Sequence, residues 1–262
     1  MASVYLNDIP IETYGVVVTA LTGWINLPQT EIPAIDAVGY PGPLPVGMSP
    51  RLAPRQMAVT CYVNAASSQA EKRSQLAALA LAAQGLVEVS VDDDPSRVSY
   101  AVLTDGEGNG ISEQVLAHAK ALLILRFTAH DPYYYQRTPT LLSLRANTRE
   151  TIPLGSAPVR GVVGINAGGS GIPGMVLRHR SGEILAQLDF DGVTLDTGDS
   201  LEISHREGWA DQYDASGSAW TSVMAYLGAG QDFCVFDPMD APTLELLNGY
   251  DGWCLYRKAD LV

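Results

Sequence analysis

Residues 67–103 read SSQAEKRSQLAALALAAQGLVEVSVDDDPSRVSYAVL, and this stretch changes period halfway along. Its first half is helical. Ser67 or Ser68 can cap the N-terminus, Glu71 supports the first turn, and Gly85 stops the run. Leu76, Leu79, Ala80 and Ala83 form an apolar stripe at helical spacing, with Lys72, Arg73 and Gln75 away from it. The pattern predicts a helix over residues 67–84. From residue 86 to 91 apolar and polar residues alternate strictly. Asp92-Asp93-Asp94-Pro95 turns the chain, and residues 98–103 return as a second strand. One amphipathic helix running straight into a hairpin needs a sheet to lie on. The expected unit is therefore a β-sandwich carrying one α-helix.

Outward from this stretch the chain reads as β. Residues 4–6, 9–11 and 16–19 are short strands, and residues 24–27 can continue them. Residues 28–54 hold Pro28, Pro33, Pro41, Pro43, Pro45, Pro50 and Pro54. So many residues without an N–H predict a long irregular excursion, either ordered by a partner or a mobile surface loop. Met57, Val59, Cys61 and Val63 alternate with polar neighbours in the strand that follows. A polar Gly-rich loop spans 104–110, and residues 121–128 form a continuous apolar strand. His130-Asp131-Pro132 breaks it ahead of Tyr133-Tyr134-Tyr135.

Polar residues 145–150 suggest a boundary. It separates an N-terminal β domain, residues 1–145, from a C-terminal β-sandwich or jelly roll, residues 150–262. In the latter, strands are expected at 159–165, 174–179, 185–190, 200–204, 222–227, 233–236, 243–247 and 253–257. Turns such as Ser181-Gly182, Asp191-Gly192 and Asn248-Gly249 separate them.

Composition narrows the function classes. At 262 residues the chain can bury a sizeable core, and no apolar run is long enough to cross a bilayer. The opening MASVYLNDIP lacks a basic n-region, so no signal peptide is expected. A formal charge of −13 repels phosphate backbones and argues against sequence-specific nucleic-acid binding and anionic membranes. Cys61, Cys234 and Cys254 are odd in number and unpaired in spacing, which favours buried free thiols over disulfides or zinc.

No catalytic, cofactor or metal site is expected. His118, His130, His179 and His205 form no ligand spacing. Gly-rich residues 161–174 lack a helix behind them to cradle phosphate, and Ile172 stands where a nucleophile elbow would need its last glycine. Residues 105–110 imitate half a calcium loop, but Leu116 occupies the position of the bidentate Glu. Asp92 to Asp94, Asp189 and Asp191 read as turn formers rather than an acid–base pair. No Ser/His/Asp or Cys/His arrangement can be assembled from spacing alone.

The order of elements carries a resemblance. A one-helix β domain is followed by VSVDDDPSRVSYAVL (89–103), then FTAHDPYYY (127–135). A sandwich then opens with TIPLGSAPV (151–159) and closes with WCLYRKADL (253–261). This resembles the distal tail protein family of siphophages. In that family a strand after the helix ends in an acidic Pro- and Arg-containing turn, and the belt domain ends in a Phe-x-x-x-Asp-Pro-Tyr phrase. The resemblance implies a homo-hexameric ring closed by the N-terminal belt domain and stacked on the tail tube protein. It implies a galectin-like C-terminal sandwich that docks receptor-binding, tail-fibre or other tail-hub proteins. It places the protein at the virion tail tip, assembled in the host bacterial cytoplasm, with DNA passing through the ring. The acidic surplus would then partly line that channel, or serve ordinary solubility.

Two other readings fit the residues. A carbohydrate-binding module would use exposed Trp209, Trp220 or Trp253, the first two of which lie in a Gly- and Asp-rich stretch. Another tail-tube or baseplate component would share the sandwich-plus-helix plan.

Overall fold

The computed structural model describes residues 3–31, 34–36, 43–45, 51–63, 67–104, 111–117, 120–217, 220–228 and 231–261. The protein is mainly β, with one α-helix among the described residues. It divides into two compact units, Met1–Arg137 with Leu261–Val262, and Thr138–Asp260.

The first unit is built around the strand Arg55–Val63. Its alternation puts Met57, Val59, Cys61 and Val63 on one face, and all four are buried. Lys120–Ala129 pairs antiparallel along its whole length, with Leu123 opposite Cys61 and Phe127 opposite Met57. The register therefore brings Leu123, Leu125 and Phe127 onto the same buried face. The apolar run 121–128 is thus buried on one face and only partly covered at Leu122 and Ile124 on the other. Strand order across the sheet is Ile9–Pro10, Val4–Leu6, Leu86–Val91, Asp94–Leu103, Lys120–Ala129, Arg55–Val63 and Val16–Thr22. Ile111–Ala117 adds to Lys120–Ala129, and Tyr134–Gln136 adds to Asp94–Leu103.

The helix spans Gln69–Ala82. The Glu71 N–H donates to Ser68 Oγ, and Glu71 Oε2 accepts from the Ser67 N–H and hydroxyl, a near-reciprocal cap. Leu79 and Ala83 are buried as expected, but Lys72 is buried too, at 4% exposure. The reason is spacing: residues 72, 76, 79 and 83 fall on one helical face, so the Lys72 stem continues the stripe.

The proline-rich stretch is less irregular than expected. Thr30–Glu31 pairs with Arg51–Leu52, and Ala34–Asp36 pairs with Pro43–Pro45. Residues 43 and 45 are two apart, so both missing N–H groups fall on the same edge, and the Ile35–Leu44 pair holds the ladder. The calcium-like loop 105–110 and His118 lie outside the described residues.

The second unit has a six-stranded sheet, ordered Thr140–Leu144, Asp251–Tyr256, Val162–Asn166, Ser200–Ser204, Trp209–Tyr213 and Trp220–Ser222. A four-stranded sheet is ordered Glu150–Thr151, Thr243–Leu246, Gly174–Arg178 and Ile184–Asp189. Val163, Ile165, Leu201, Ile203 and Cys254 of the first sheet and Met175, Leu177, Leu188, Leu244 and Leu246 of the second are buried, as in a sandwich. Polar residues 145–150 connect two strands of this unit, because Thr140–Leu144 pairs with Asp251–Tyr256. Residues 222–227, expected as a strand, instead form a 3-10 turn at Met224–Tyr226, closed by the Tyr226 N–H on Val223 O. Residues 233–236 contribute one bridge, Phe236 to Val159.

Candidate functional site

Several of the titratable groups weighed for chemistry have structural roles. Asp92 accepts from the Tyr5 hydroxyl at 2.6 Å and the Ser3 N–H at 3.3 Å. Asp94 accepts from Ser96 Oγ and faces Arg97. Asp189 Oδ2 accepts from the amides of Gln187 and Gln231. His179 Nδ1 lies within a turn against Ser181. Among the described residues no group of three or more His, Cys, Asp or Glu could hold a metal.

One pairing escaped sequence reading. Cys234 Sγ lies 3.5 Å from His205 Nδ1 across 29 residues of chain, and both are buried. The pair is not an activated thiolate. His205 Nδ1 already accepts the Cys234 backbone N–H at 3.1 Å, so its lone pair is occupied. Burial, aided by Arg160, lowers the imidazole to about 4, and burial raises the Cys234 thiol to about 12. Both groups are held neutral, the reverse of a reactive Cys–His couple. Phe233 and Phe236 meet the ring edge-on, completing an apolar cluster.

The phrase Asp131-Pro132-Tyr133 is organised by Arg55, which is 2% exposed. Its Nε and Nη2 donate to Pro132 O at 3.1 and 2.8 Å, and Nη2 donates to Leu261 O at 2.9 Å. Nη1 donates to the carbonyl of Asn26. The guanidinium lies 4.2 Å from the Tyr134 ring centroid, and Tyr134 tilts against Trp24 at 4.8 Å. Asp131 accepts from the Tyr133 N–H and the Tyr135 hydroxyl, fixing the turn that presents Pro132 O. Sequence reading found the phrase but not the arginine, 77 residues away, that it serves.

One candidate association surface lies at a sheet edge of the first unit. Val16–Thr22 ends the strand order of the first unit, with Arg55–Val63 its only strand partner among the described residues. A register shift between Val18 and Ala20 kinks it. Beside it lies an open groove of about 580 Å³, lined by Val18, Leu21, Trp24, Ile25, Val91 and Asp93 among others. Ile25, which lines this groove, is 78% exposed, and Leu27 two residues on is 67% exposed. An edge paired on one side only among the described residues, with an adjoining apolar groove, has the features of a protein-association surface.

Of the tryptophans weighed for ligand binding, Trp209, Trp220 and Trp253 all lie on the six-stranded sheet of the second unit.

No family model and no curated protein matches the sequence. Solved structures do match. SPP1 Dit, a paradigm of the hub adsorption apparatus in phages infecting Gram-positive bacteria, aligns with a TM-score of 0.73 at 16% identity, over 99% of each chain. Structures of the phage P2 baseplate in its activated conformation, with Ca and with Sr, align with TM-scores of 0.56 and 0.57. Both alignments have 10% identity and cover 100% of this chain and 99% of theirs. Over its whole length this chain therefore has the fold of phage distal tail and baseplate hub proteins.

Proposed function

We propose that this protein is a non-enzymatic structural component of a phage tail tip. In this reading six copies form a ring that joins the tail tube to the baseplate or receptor-binding apparatus, and DNA passes through its centre. The second unit, residues 138–260, would dock tail-hub, receptor-binding or tail-fibre proteins. The protein would be assembled in the host cytoplasm and carried in the virion. The observation that supports this most is the end-to-end likeness to SPP1 Dit, which extends across both units. The edge Val16–Thr22, paired on one side only among the described residues, and its groove supply the kind of surface that head-to-tail closure requires, since a heterologous ring joins two different patches on each copy.

Native mass spectrometry of the purified chain, with electron-microscope class averages of the same sample, tests this reading. A six-fold ring with a central hole is the expected result, alone or on addition of the tail tube protein. A particle that stays monomeric in the presence of the tube protein refutes ring formation.

A further inference from the structure

The Gly-rich loop between Val162–Asn166 and Gly174–Arg178 is held down by residues of a single turn. Gly168, Gly169 and Gly171 bring no side chains to bury, so the order of the loop rests on hydrogen bonds and close approach. The Ser170 N–H donates to Asn248 O at 3.0 Å, Asn248 Nδ2 donates to Ile172 O, and the Tyr250 hydroxyl donates to Gly171 O at 3.0 Å. The Tyr250 ring fills the space beside Gly169, where a Cβ would lie 2.5 Å from it. Residues 248 and 250 thus form a latch over residues 169–172.

The latch is built on an Asn-Gly pair. Asn248 and Gly249 have φ of +56° and +75°, and the Tyr250 N–H donates to Leu247 O, as in a type I′ turn. The hydrogen bond of that turn uses the Tyr250 N–H rather than that of Gly249, and Asn248 is exposed to water. Glycine places no Cβ beside its own nitrogen, so that nitrogen can approach Asn248 Cγ with little hindrance.

We propose that Asn248 is a site of spontaneous deamidation, and that its conversion releases residues 169–172. The Gly249 amide nitrogen gives its proton to hydroxide and attacks Asn248 Cγ. The N–Cγ bond forms, the Cγ–Nδ2 bond breaks, and Nδ2 leaves as ammonia after taking a proton from water, which regenerates the hydroxide. Water then opens the cyclic imide at one carbonyl to give aspartate, or at the other to give isoaspartate. Either product carries a carboxylate, which accepts hydrogen bonds but has none to donate to Ile172 O. Isoaspartate also lengthens the main chain and draws the residue-248 carbonyl away from Ser170. Latch and reaction oppose each other. Ring closure needs the Asn248 side chain to swing off Ile172 O and back towards its own main chain, so conversion proceeds from the unlatched loop and then prevents relatching. The loop is loosened irreversibly as the folded chain ages, with no ring or partner required.

Peptide-mapping mass spectrometry of the full-length chain, incubated folded and in urea at mildly alkaline pH, follows the amide-to-acid conversion at Asn248. The folded chain should convert, and more slowly than the unfolded one. Tyr250→Phe keeps the ring beside Gly169 and removes only the hydroxyl that reaches Gly171 O. It should speed conversion in the folded chain about two- to tenfold, the effect of one hydrogen bond. Asn109-Gly110, the other Asn-Gly pair of the sequence, should convert at the same rate in both proteins. Asn248→Asp, made directly, should speed hydrogen exchange of the peptide holding Ser170 by a similar factor. Peptides covering Ser200–Ser204 and Asp251–Tyr256 should not change, which separates unlatching from loss of fold. An Asn248 that stays amide in both folded proteins while the unfolded chain converts overturns the site. Equal folded-state rates in the wild type and Tyr250→Phe overturn the latch, and unchanged exchange at Ser170 in folded Asn248→Asp overturns the release.

Discussion

Arg55→Met should weaken the first unit by about 3 kcal/mol while leaving the second untouched. The substitution keeps most of the apolar stem but removes donors to the carbonyls of Pro132, Leu261 and Asn26. A hydrogen bond from a charged donor contributes ~1.5–3 kcal/mol, and a buried acceptor left unpaired costs ~1–3 kcal/mol. Three such carbonyls, less the ~2 kcal/mol or more regained by no longer desolvating a guanidinium, leave a net of about 3 kcal/mol. Loss of the cation–π contact with Tyr134 works in the same direction. Hydrogen exchange read by mass spectrometry localises the effect. Peptides covering Arg55–Val63 and Lys120–Ala129 should exchange roughly a hundredfold faster, as about 3 kcal/mol requires. Peptides covering Val162–Asn166 and Gly174–Arg178 serve as the internal reference and should not change. Arg55→Lys should fall between, because one ammonium cannot span three carbonyls. Less than a threefold change in the Arg55–Val63 peptide of Arg55→Met would refute the clamp.

His205 should make the second unit sensitive to acid. Its folded value of about 4 lies below the ordinary 6.5, so the unfolded chain binds the extra proton first. Stability is therefore full above about pH 6.5 and falls by about 3 kcal/mol as pH drops towards 4. Urea titrations across that range should show a shallower slope for His205→Phe than for the wild type. Cys61, Cys234 and Cys254 are buried, with thiols pushed upward by that burial, so native protein should resist a thiol-specific disulfide reagent at neutral pH. Three thiols should react once denaturant is added, and fast stoichiometric labelling of the native state would contradict this. Gly23 has φ of +83° and a Cβ there would lie 2.0 Å from Gln56 O, so Gly23→Ala should cost about 2–4 kcal/mol by denaturant midpoint. Ile25→Asp, at a 78% exposed position beside the edge groove, should change monomer stability by less than about 0.5 kcal/mol yet abolish ring formation.

What the sequence made legible was local. The alternation of Met57, Val59, Cys61 and Val63 and the cap at Ser68 depend on neighbours within a few residues, and both are found in the structure. What it hid was long-range. Thr140–Leu144 has little alternation of its own and becomes a strand because Asp251–Tyr256 lies beside it. Trp209–Tyr213 reads as a polar loop until Ser200–Ser204 pairs with it. The Cys234–His205 contact and the buried Arg55 are likewise products of register, which no single stretch encodes. Lys72 is a different case: its spacing from Leu76 and Leu79 was visible, but its charge outweighed its position.

The Asp-Pro-Tyr phrase illustrates how a short sequence feature can point to a fold without pointing to a site. Its parts hold the first unit together: Asp131 sets the turn, Pro132 lends a carbonyl to Arg55, and the neighbouring Tyr134 lies against both the guanidinium and Trp24. Arg55, Pro132 and Tyr134 are buried, and Asp131, although exposed, is engaged within the turn. The phrase therefore accounts for the architecture and leaves the choice of partner to residues with no interior role. Those residues include the exposed Val17, Ile25 and Leu27 at or near the edge strand of the first unit, and Trp220 in the second. Substitutions in the two classes should behave differently. Changes at Arg55 or Tyr134 should reduce stability before assembly is ever tested, whereas changes at Ile25 or Trp220 should leave a folded chain that fails only when a partner is supplied. A variant set in which stability loss and assembly loss always coincide would contradict this division.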